Sequence, residues 1–485
     1  MAQNQAQALP AILNVSTIPS IENMNIKTEV LDPITITQNQ AVFQIPKTGI
    51  LDGGSMIQLG VTAHPDNFFP IQTGIHGLIE SVFLKVGGRV IASNTDYGYY
   101  TTMTRKFDTP EHRAYVDMIK SGACGDRFTE DDTTRVAPRD LVTTLNGGAA
   151  ATTMVVPTFI RPTQSDATTP LFSVPLSTLL PMMRSRQLPL LAVKEHFYLE
   201  VNFRQQADGQ RGIITCRDQG SGASTLVTVS TPNIKFISDH LYYTNDRMDA
   251  LLQQTMSQQG LSMLYEDLIT TNANVPAGQA GASQVVERQI AVSGKNVRNI
   301  MVQDKDAGAT HNFLGDYIST ELHQPTSYNF RINDQMVYDR DVTQPSRKYN
   351  ELSGVMGKPL MVPSQLYSFD ADIDKATNAL NQNSVTIGLI NGHQLPNATN
   401  ADVGNDIRGT SHYVGYDATT TGFNVLGNGA SVGVKPIVLR KTYQRVANAA
   451  GPPQVRGQNN ARELRIFTGV EKVMVIKNGE VVLSA

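Results

Sequence analysis

The sequence predicts an all-β chain made of two similar antiparallel β-domains in tandem. Three observations lead there: dense turn punctuation, period-two alternation in several segments, and a strand–turn–strand design that recurs once. With Gly 38 and Pro 24 in 485 residues, the chain suits many short strands joined by turns better than long helices. The length accommodates two β-barrels, which often take about 200–250 residues each.

Residues 1–25 are polar and Gln/Asn-rich and read as an arm outside any core. Strand signals then begin at Ile34-Thr-Ile-Thr37, Ala41-Val-Phe-Gln-Ile45 and Ser55-Met-Ile-Gln-Leu-Gly-Val-Thr62. The clearest strand is His196-Phe-Tyr-Leu-Glu-Val-Asn-Phe-Arg204. There Phe197, Leu199, Val201 and Phe203 share one face, and Glu200, Asn202 and Arg204 share the other, as a half-buried antiparallel strand requires. Hairpins are marked by Gly87-Gly88 between residues 80–86 and 89–92, and by Asn478-Gly479 between 472–477 and 480–483. Two-residue hairpin turns need positive φ, which Gly and Asn adopt at low cost. Helices are few and short: residues 97–105, 110–120 and 246–258, with Pro110 suited to a first turn and Asp246 to a cap.

The repeat is read from two pairs of segments. Phe83-Leu-Lys-Val-Gly-Gly-Arg-Val-Ile91 and Asn329-Phe-Arg-Ile-Asn-Asp-Gln-Met-Val337 share a strand, tight turn and strand, with 246 residues (333 − 87) separating Gly87 from Asn333. Ile234-Lys-Phe-Ile237 and Glu463-Leu-Arg-Ile466 give 230 (466 − 236). The two offsets agree to within a loop, and each is about one barrel. The expected organisation is an arm over 1–25, a first domain over 26–245 and a second over 246–485, meeting near Thr244 to Asp246.

A formal net charge of −3, from Lys+Arg 40 and Asp+Glu 43, lacks the basic excess that grips nucleic-acid phosphates, so no direct sequence-specific nucleic-acid contact is expected. Cys124 and Cys216 form no CxxC pair and read as two reduced thiols, with a single disulfide the alternative. The amino terminus has no basic segment followed by an apolar run, so no signal peptide is expected. No run reaches the ~18 apolar residues of a membrane helix. The sequons at Asn14 and Asn397 are read as chance matches.

No constellation points to catalysis. Asp370-Ala-Asp-Ile-Asp374 has alternating acids but lacks the Gly and distant Glu of a calcium loop, and reads as a solvated turn. Glu130-Asp-Asp132 reads as a loop cluster, with no neighbouring apolar segment to raise a pKa. The nine histidines form no zinc motif, and His196 and His240 read as ordinary strand residues. Gly294-Lys295 and Gly357-Lys358 lack the upstream Gly and following Ser/Thr of a phosphate loop. No catalytic, cofactor-binding or metal-binding residue is assigned, and no cofactor is expected.

Four segments, in order, resemble the double jelly-roll major capsid proteins of nucleocytoplasmic large DNA viruses, virophages and Polinton-like viruses. They are Val86-Gly-Gly-Arg-Val-Ile91 with Tyr97-Gly-Tyr-Tyr100; Pro175-Leu-Ser-Thr-Leu-Leu180 continuing through Gln187-Leu-Pro-Leu-Leu191 to Phe203; Ser364-Gln-Leu-Tyr-Ser-Phe-Asp370; and Arg462-Glu-Leu-Arg-Ile-Phe-Thr-Gly469. The chain departs from that family in having no Trp and in residues 397–434, which match none of its segments. The resemblance implies two tandem eight-stranded jelly-roll barrels with a few short helices in loops. It further implies a homotrimeric, pseudo-hexagonal capsomer of an icosahedral double-stranded DNA virus. Its partners would be neighbouring capsomers and minor capsid and penton proteins, with membrane contact left open. It would reside in the virion shell after assembly in host cytoplasm or nucleus. Residues 146–153, 273–282 and 397–434 are poor core formers and are expected to be loops ordered by neighbours. The alternative is a carbohydrate- or receptor-binding β-sandwich, although 7% aromatics without Trp supply few stacking platforms. A β-rich hydrolase would need acids such as Asp131 or Asp370 gathered in a cleft.

Overall fold

The computed structural model describes residues 24–62, 67–68, 74–105, 120, 171–204 except 186, 215–243 with breaks at 219–223, 227 and 230, 260–306 except 280–281, 327–343, parts of 347–355, 412–419, 427–444 except 428, and 461–484. Its first half contains β1 (Met24–Leu31), β2 (Gln40–Ile45), β3 (Met56–Thr62), β4 (Ile79–Val86), β5 (Arg89–Asn94), β6 (Leu171–Pro175), β7 (Phe197–Phe203) and β8 (Lys235–Tyr243). Its second half contains β9 (Leu261–Val275), β10 (Ser283–Ile290), β11 (Asn296–Asp306), β12 (Ser327–Ile332), β13 (Gln335–Met336), β14 (His412–Asp417), β15 (Ile437–Gln444), β16 (Arg462–Lys477) and β17 (Glu480–Ser484). Short strands and 3-10 turns lie between them.

All pairings among these strands are antiparallel. One sheet of the first half has the order β1-β8-β3-β6, and the facing sheet has β2-β7-β4-β5. The second half repeats this with every number raised by eight: β9-β16-β11-β14 and β10-β15-β12-β13. Pairing first strand with last, third with sixth, second with seventh and fourth with fifth is the double Greek key of a jelly roll. β17 adds a hairpin to β16.

Local chemistry explains the elements. β7 alternates as its sequence does: Phe197, Leu199, Val201 and Phe203 enter the core. On the opposite face Glu200 accepts from Lys85 at 2.5 Å, and Asn202 donates to Ser81 at 3.1 Å. The β4–β5 turn puts Gly87 and Gly88 at φ 51 and 82, and the matching β12–β13 turn puts Asn333 and Asp334 at φ 50 and 66. Asn478-Gly479 turns β16 into β17 with φ 54 and 81. Helix α1 (Tyr97–Arg105) follows β5, and two single-turn helices, α2 (Leu176–Leu179) and α3 (Met182–Ser185), follow β6.

Three segments differ from expectation. β1 begins at Met24, inside the segment read as an arm, and carried no strand signal of its own. Its apolar Ile26 and Val30 are exposed, while Lys27 and Glu29 lie on the face shared with buried His240 and Ser238. Residues 273–275, read as loop, complete β9, because Ala273 and Val275 continue its inward face and Val275 is buried in the second core. Within 397–434, residues 412–417 form β14, whose Val414 is buried; its Gly and Tyr content masks a strand that only pairing with β11 defines. Of the helix read at 110–120 only Lys120 is described, in helical conformation; the rest of it, the helix read at 246–258, the Thr244 to Asp246 boundary and the loop at 146–153 lie outside the described residues.

Candidate functional site

Among the described residues, polar and apolar groups are gathered most densely at the joint between the two barrels. The ends of β9, β16 and β17 reach into the first barrel. Leu261, Met263, Tyr265, Met474, Ile476 and Val481 belong to the same core cluster as Phe43, Leu84 and Phe197. The Tyr265 hydroxyl donates to the Ile91 carbonyl at 2.8 Å, and burial raises its pKa. The Lys194 amide donates to the Gly479 carbonyl at 2.9 Å, where any side chain at 479 would collide with Lys194.

A second apolar cluster lies between the barrels. Tyr99, Tyr100 and Met103 of α1 pack on Leu268, Met301 and Phe467, which sit on the outward face of the β9-β16-β11 sheet, together with Val355. The Tyr100 and Phe467 rings are 5.6 Å apart. Arg465 borders this cluster: Nη1 donates to Asp96 Oδ1 at 2.7 Å, and the guanidinium lies 3.8 Å from the Tyr99 ring centroid. Burial pushes the Tyr99 hydroxyl up to about 12, with Arg465 and Arg204 acting against that rise. Asp267 accepts the Ser93 amide at 3.0 Å and pairs with Lys472 at 2.5 Å. Direct hydrogen bonds thereby link the two halves at this joint, so separating the barrels would expose apolar surface and strand charges.

Two buried ionic clusters stiffen the second barrel. Arg298 pairs with Glu266 at 2.6 Å and Glu471 at 3.6 Å, and Asn296 donates to Glu471 at 2.7 Å. Lys441 on β15 donates to Asp304 on β11 at 3.0 Å, tying one sheet to the other across the core. Tyr443 adds a hydrogen bond to Asp304 at 3.2 Å, and Arg462 lies 4.2 Å from the Tyr443 ring centroid. Burial holds the Lys441 pKa below its ordinary value, against the pull of Asp304. Sequence reading missed all of these groups. The available signal was a charged residue within an otherwise apolar strand, such as Asp304, Lys441 and Arg465, but sequence alone gives no partner.

The residues weighed for chemistry are not brought together. Asp370-Ala-Asp-Ile-Asp374, Glu130-Asp-Asp132, Cys124, Gly357-Lys358 and the segment 364–370 lie outside the described residues. Cys216 belongs to a short strand, Thr215–Asp218. His240 is buried in β8, with Nδ1–H donating to the Thr48 carbonyl at 3.0 Å and Nε2 meeting the Ser238 hydroxyl at 3.0 Å. His196 precedes β7, and its buried Nδ1 has no hydrogen-bond partner among the described residues. Gly294 is a turn residue at φ 73 whose amide is taken by the Val432 and Gly433 carbonyls, which leaves no cradle for phosphate. Among the described residues no three His, Cys, Asp or Glu side chains gather as a metal site, and no helix is long and apolar enough to cross a membrane.

The topology and the joint can be set beside known structures. The chain is similar to the crystal structure of VP54 of PBCV-1, fitted into a cryo-EM reconstruction of the virophage Sputnik, with a TM-score of 0.53, 12% identity, and coverage of 97% of this chain and 98% of that one. A quasi-atomic model of the PBCV-1 virus capsid gives 0.51, 13%, 97% and 98%. The cryo-EM structure of the Sputnik virophage gives 0.51, 11%, 96% and 90%. The chain has the double jelly-roll fold. The likeness spans both barrels and is carried by the backbone, since identity is at the level of unrelated sequences. No family model and no curated protein matches the chain.

Proposed function

We propose that this chain is the major capsid protein of an icosahedral double-stranded DNA virus, a structural building block without catalytic activity. The observation that carries the reading is one jelly-roll strand order executed twice in a single chain, over the whole length of capsid structures with the same fold. Two like barrels in each of three chains give a six-cornered unit from a three-fold assembly. Such a unit can tile a shell beside pentameric vertices. Lateral assembly then proceeds through the side-chain surfaces of the barrels. Neighbouring capsomers and minor capsid and penton proteins are the expected partners in the virion. The near-neutral charge assigns genome neutralisation to other proteins.

Light scattering on the purified full-length chain after size exclusion tests this. A single species at three times the 52.9 kDa chain mass supports the reading. A monomer at every concentration overturns it.

A further inference from the structure

The core of the second barrel encloses an amine and a carboxyl that the assembly reading leaves unused. Asp304 projects inward from β11 and Lys441 inward from β15, so the two meet across the core from opposite sheets. Lys441 Nζ donates to Asp304 Oδ1 at 3.0 Å, with the two side chains 1% and 0% exposed. Among the described Lys–carboxylate pairs this one alone has both side chains buried; in the Lys472–Asp267 pair, for example, the Lys472 side chain is 23% exposed. Apolar and aromatic groups line the site. Val286 and Tyr328 sit opposite Lys441 on β10 and β12, Leu439 and Tyr443 flank it along β15, and Leu464 sits opposite Asp304 on β16. All five are buried.

In such surroundings an ammonium–carboxylate pair is costly to keep charged, and proton transfer within the pair gives a neutral amine beside a neutral acid. Burial lowers the Lys441 pKa; Asp304 opposes that shift and Arg462 adds to it. A desolvated, unprotonated Lys amine is a nucleophile, and the Asp304 carboxyl carbon lies one bond beyond the oxygen it touches. The Tyr443 hydroxyl donates to the same carboxyl, 3.3 Å from Oδ1 and 3.2 Å from Oδ2. A donor placed there stabilises the oxyanion of a tetrahedral intermediate. We propose that Lys441 and Asp304 join covalently in the folded protein, through an amide bond between their side chains. Lys441 Nζ bonds to Asp304 Cγ, one Cγ–O bond breaks, and that oxygen leaves as water with two of the three ammonium protons. The third proton stays on the amide nitrogen. No oxidant, cofactor or second chain is required, so the bond stands or falls independently of the trimer. It closes a loop of 137 residues (441 − 304), which constrains the unfolded chain as a disulfide would and prevents the two sheets of the barrel from being pulled apart.

The test is trypsin digestion of the full-length chain, denatured only after it has stood folded, followed by mass spectrometry. The expected product is a branched peptide in which residues 299–305 are joined to residues 441–445, lighter by one water than the two together, with no cleavage after Lys441. The intact chain should be one water lighter than its sequence, and Lys441→Met and Asp304→Ala should each return to their full sequence mass. The unmodified protein decides the question by itself, so a variant that fails to fold does not disturb the test. Tyr443→Phe should slow bond formation, followed from fresh synthesis, by at least about tenfold; an unchanged rate overturns the part given to Tyr443. A wild-type chain that keeps its full mass on prolonged standing and releases residues 442–445 as a free peptide overturns the bond. Water lost within a linear 299–305 peptide also overturns it, since that product is a cyclised aspartate with no link to Lys441.

Discussion

Replacing Phe467 with Ala should uncouple the barrels while leaving each of them folded. The ring is fully buried and packs against Tyr99, Tyr100 and Met103 from the first half and Leu268, Met301 and Val355 from the second. Burying a Phe side chain contributes about 1.5–3 kcal/mol. The ring pair with Tyr100 adds about 0.5–1.5 kcal/mol, and the cavity left behind raises the total to about 3–5 kcal/mol. A domain is stable by about 5–15 kcal/mol, so each barrel should survive the loss. The expected result in urea is native β content at zero denaturant and an unfolding curve that separates into two transitions. With 16 Tyr and no Trp, circular dichroism and tyrosine fluorescence are the appropriate probes. Phe330→Ala, also fully buried but confined to the second barrel's core, should instead lower the stability of that barrel. If Phe467→Ala shifts the curve by less than about 0.5 kcal/mol, the joint is not an energetic unit and the reasoning fails.

Three further outcomes follow from buried chemistry. Asp304→Asn leaves Lys441 charged in the core and should cost about 3–5 kcal/mol by chemical denaturation, whereas Asp304→Leu with Lys441→Met should recover much of that loss. Burial holds the His240 pKa below its ordinary 6.5, so its contribution to stability is present above pH 6.5 and is lost as pH falls from there toward the folded value. Thr48, Ser238, Glu29, Lys27 and Asp239 surround the ring, and among them Glu29 and Asp239 favour its charge while Lys27 opposes it. Thermal melts between pH 7 and 5 should show this acid sensitivity shrinking in His240→Gln. Asp334→Val forces a β-branched residue to φ 66 and should cost about 1–2 kcal/mol, while Asp334→Gly should be near neutral; the difference between their melting temperatures is the readout.

The parts of the fold legible in the sequence were those whose signal is local. Alternation along residues 197–203 and the paired turns at Gly87-Gly88 and Asn333-Asp334 were readable because turn φ and strand face depend on few neighbours. The repeat was readable for the same reason, through three of its eight strand pairs. β1 was not, because its Ile26 and Val30 point away from the core, which inverts the usual rule. β14 was hidden by Gly415 and by polar flanks, and its identity as a strand comes from pairing across a long connection. The joint was invisible for a different reason. Asp96, Asp267, Arg465 and Lys472 look like ordinary surface charges until the backbone brings residues nearly four hundred positions apart within hydrogen-bonding distance.

The most direct measurement is a set of class averages of the purified particle viewed end-on by electron microscopy. Twin barrels in each of three chains should appear as six lobes around a centre, with symmetry that is three-fold and only approximately six-fold. Two-lobed particles, or a three-lobed particle with one density per chain, would contradict it.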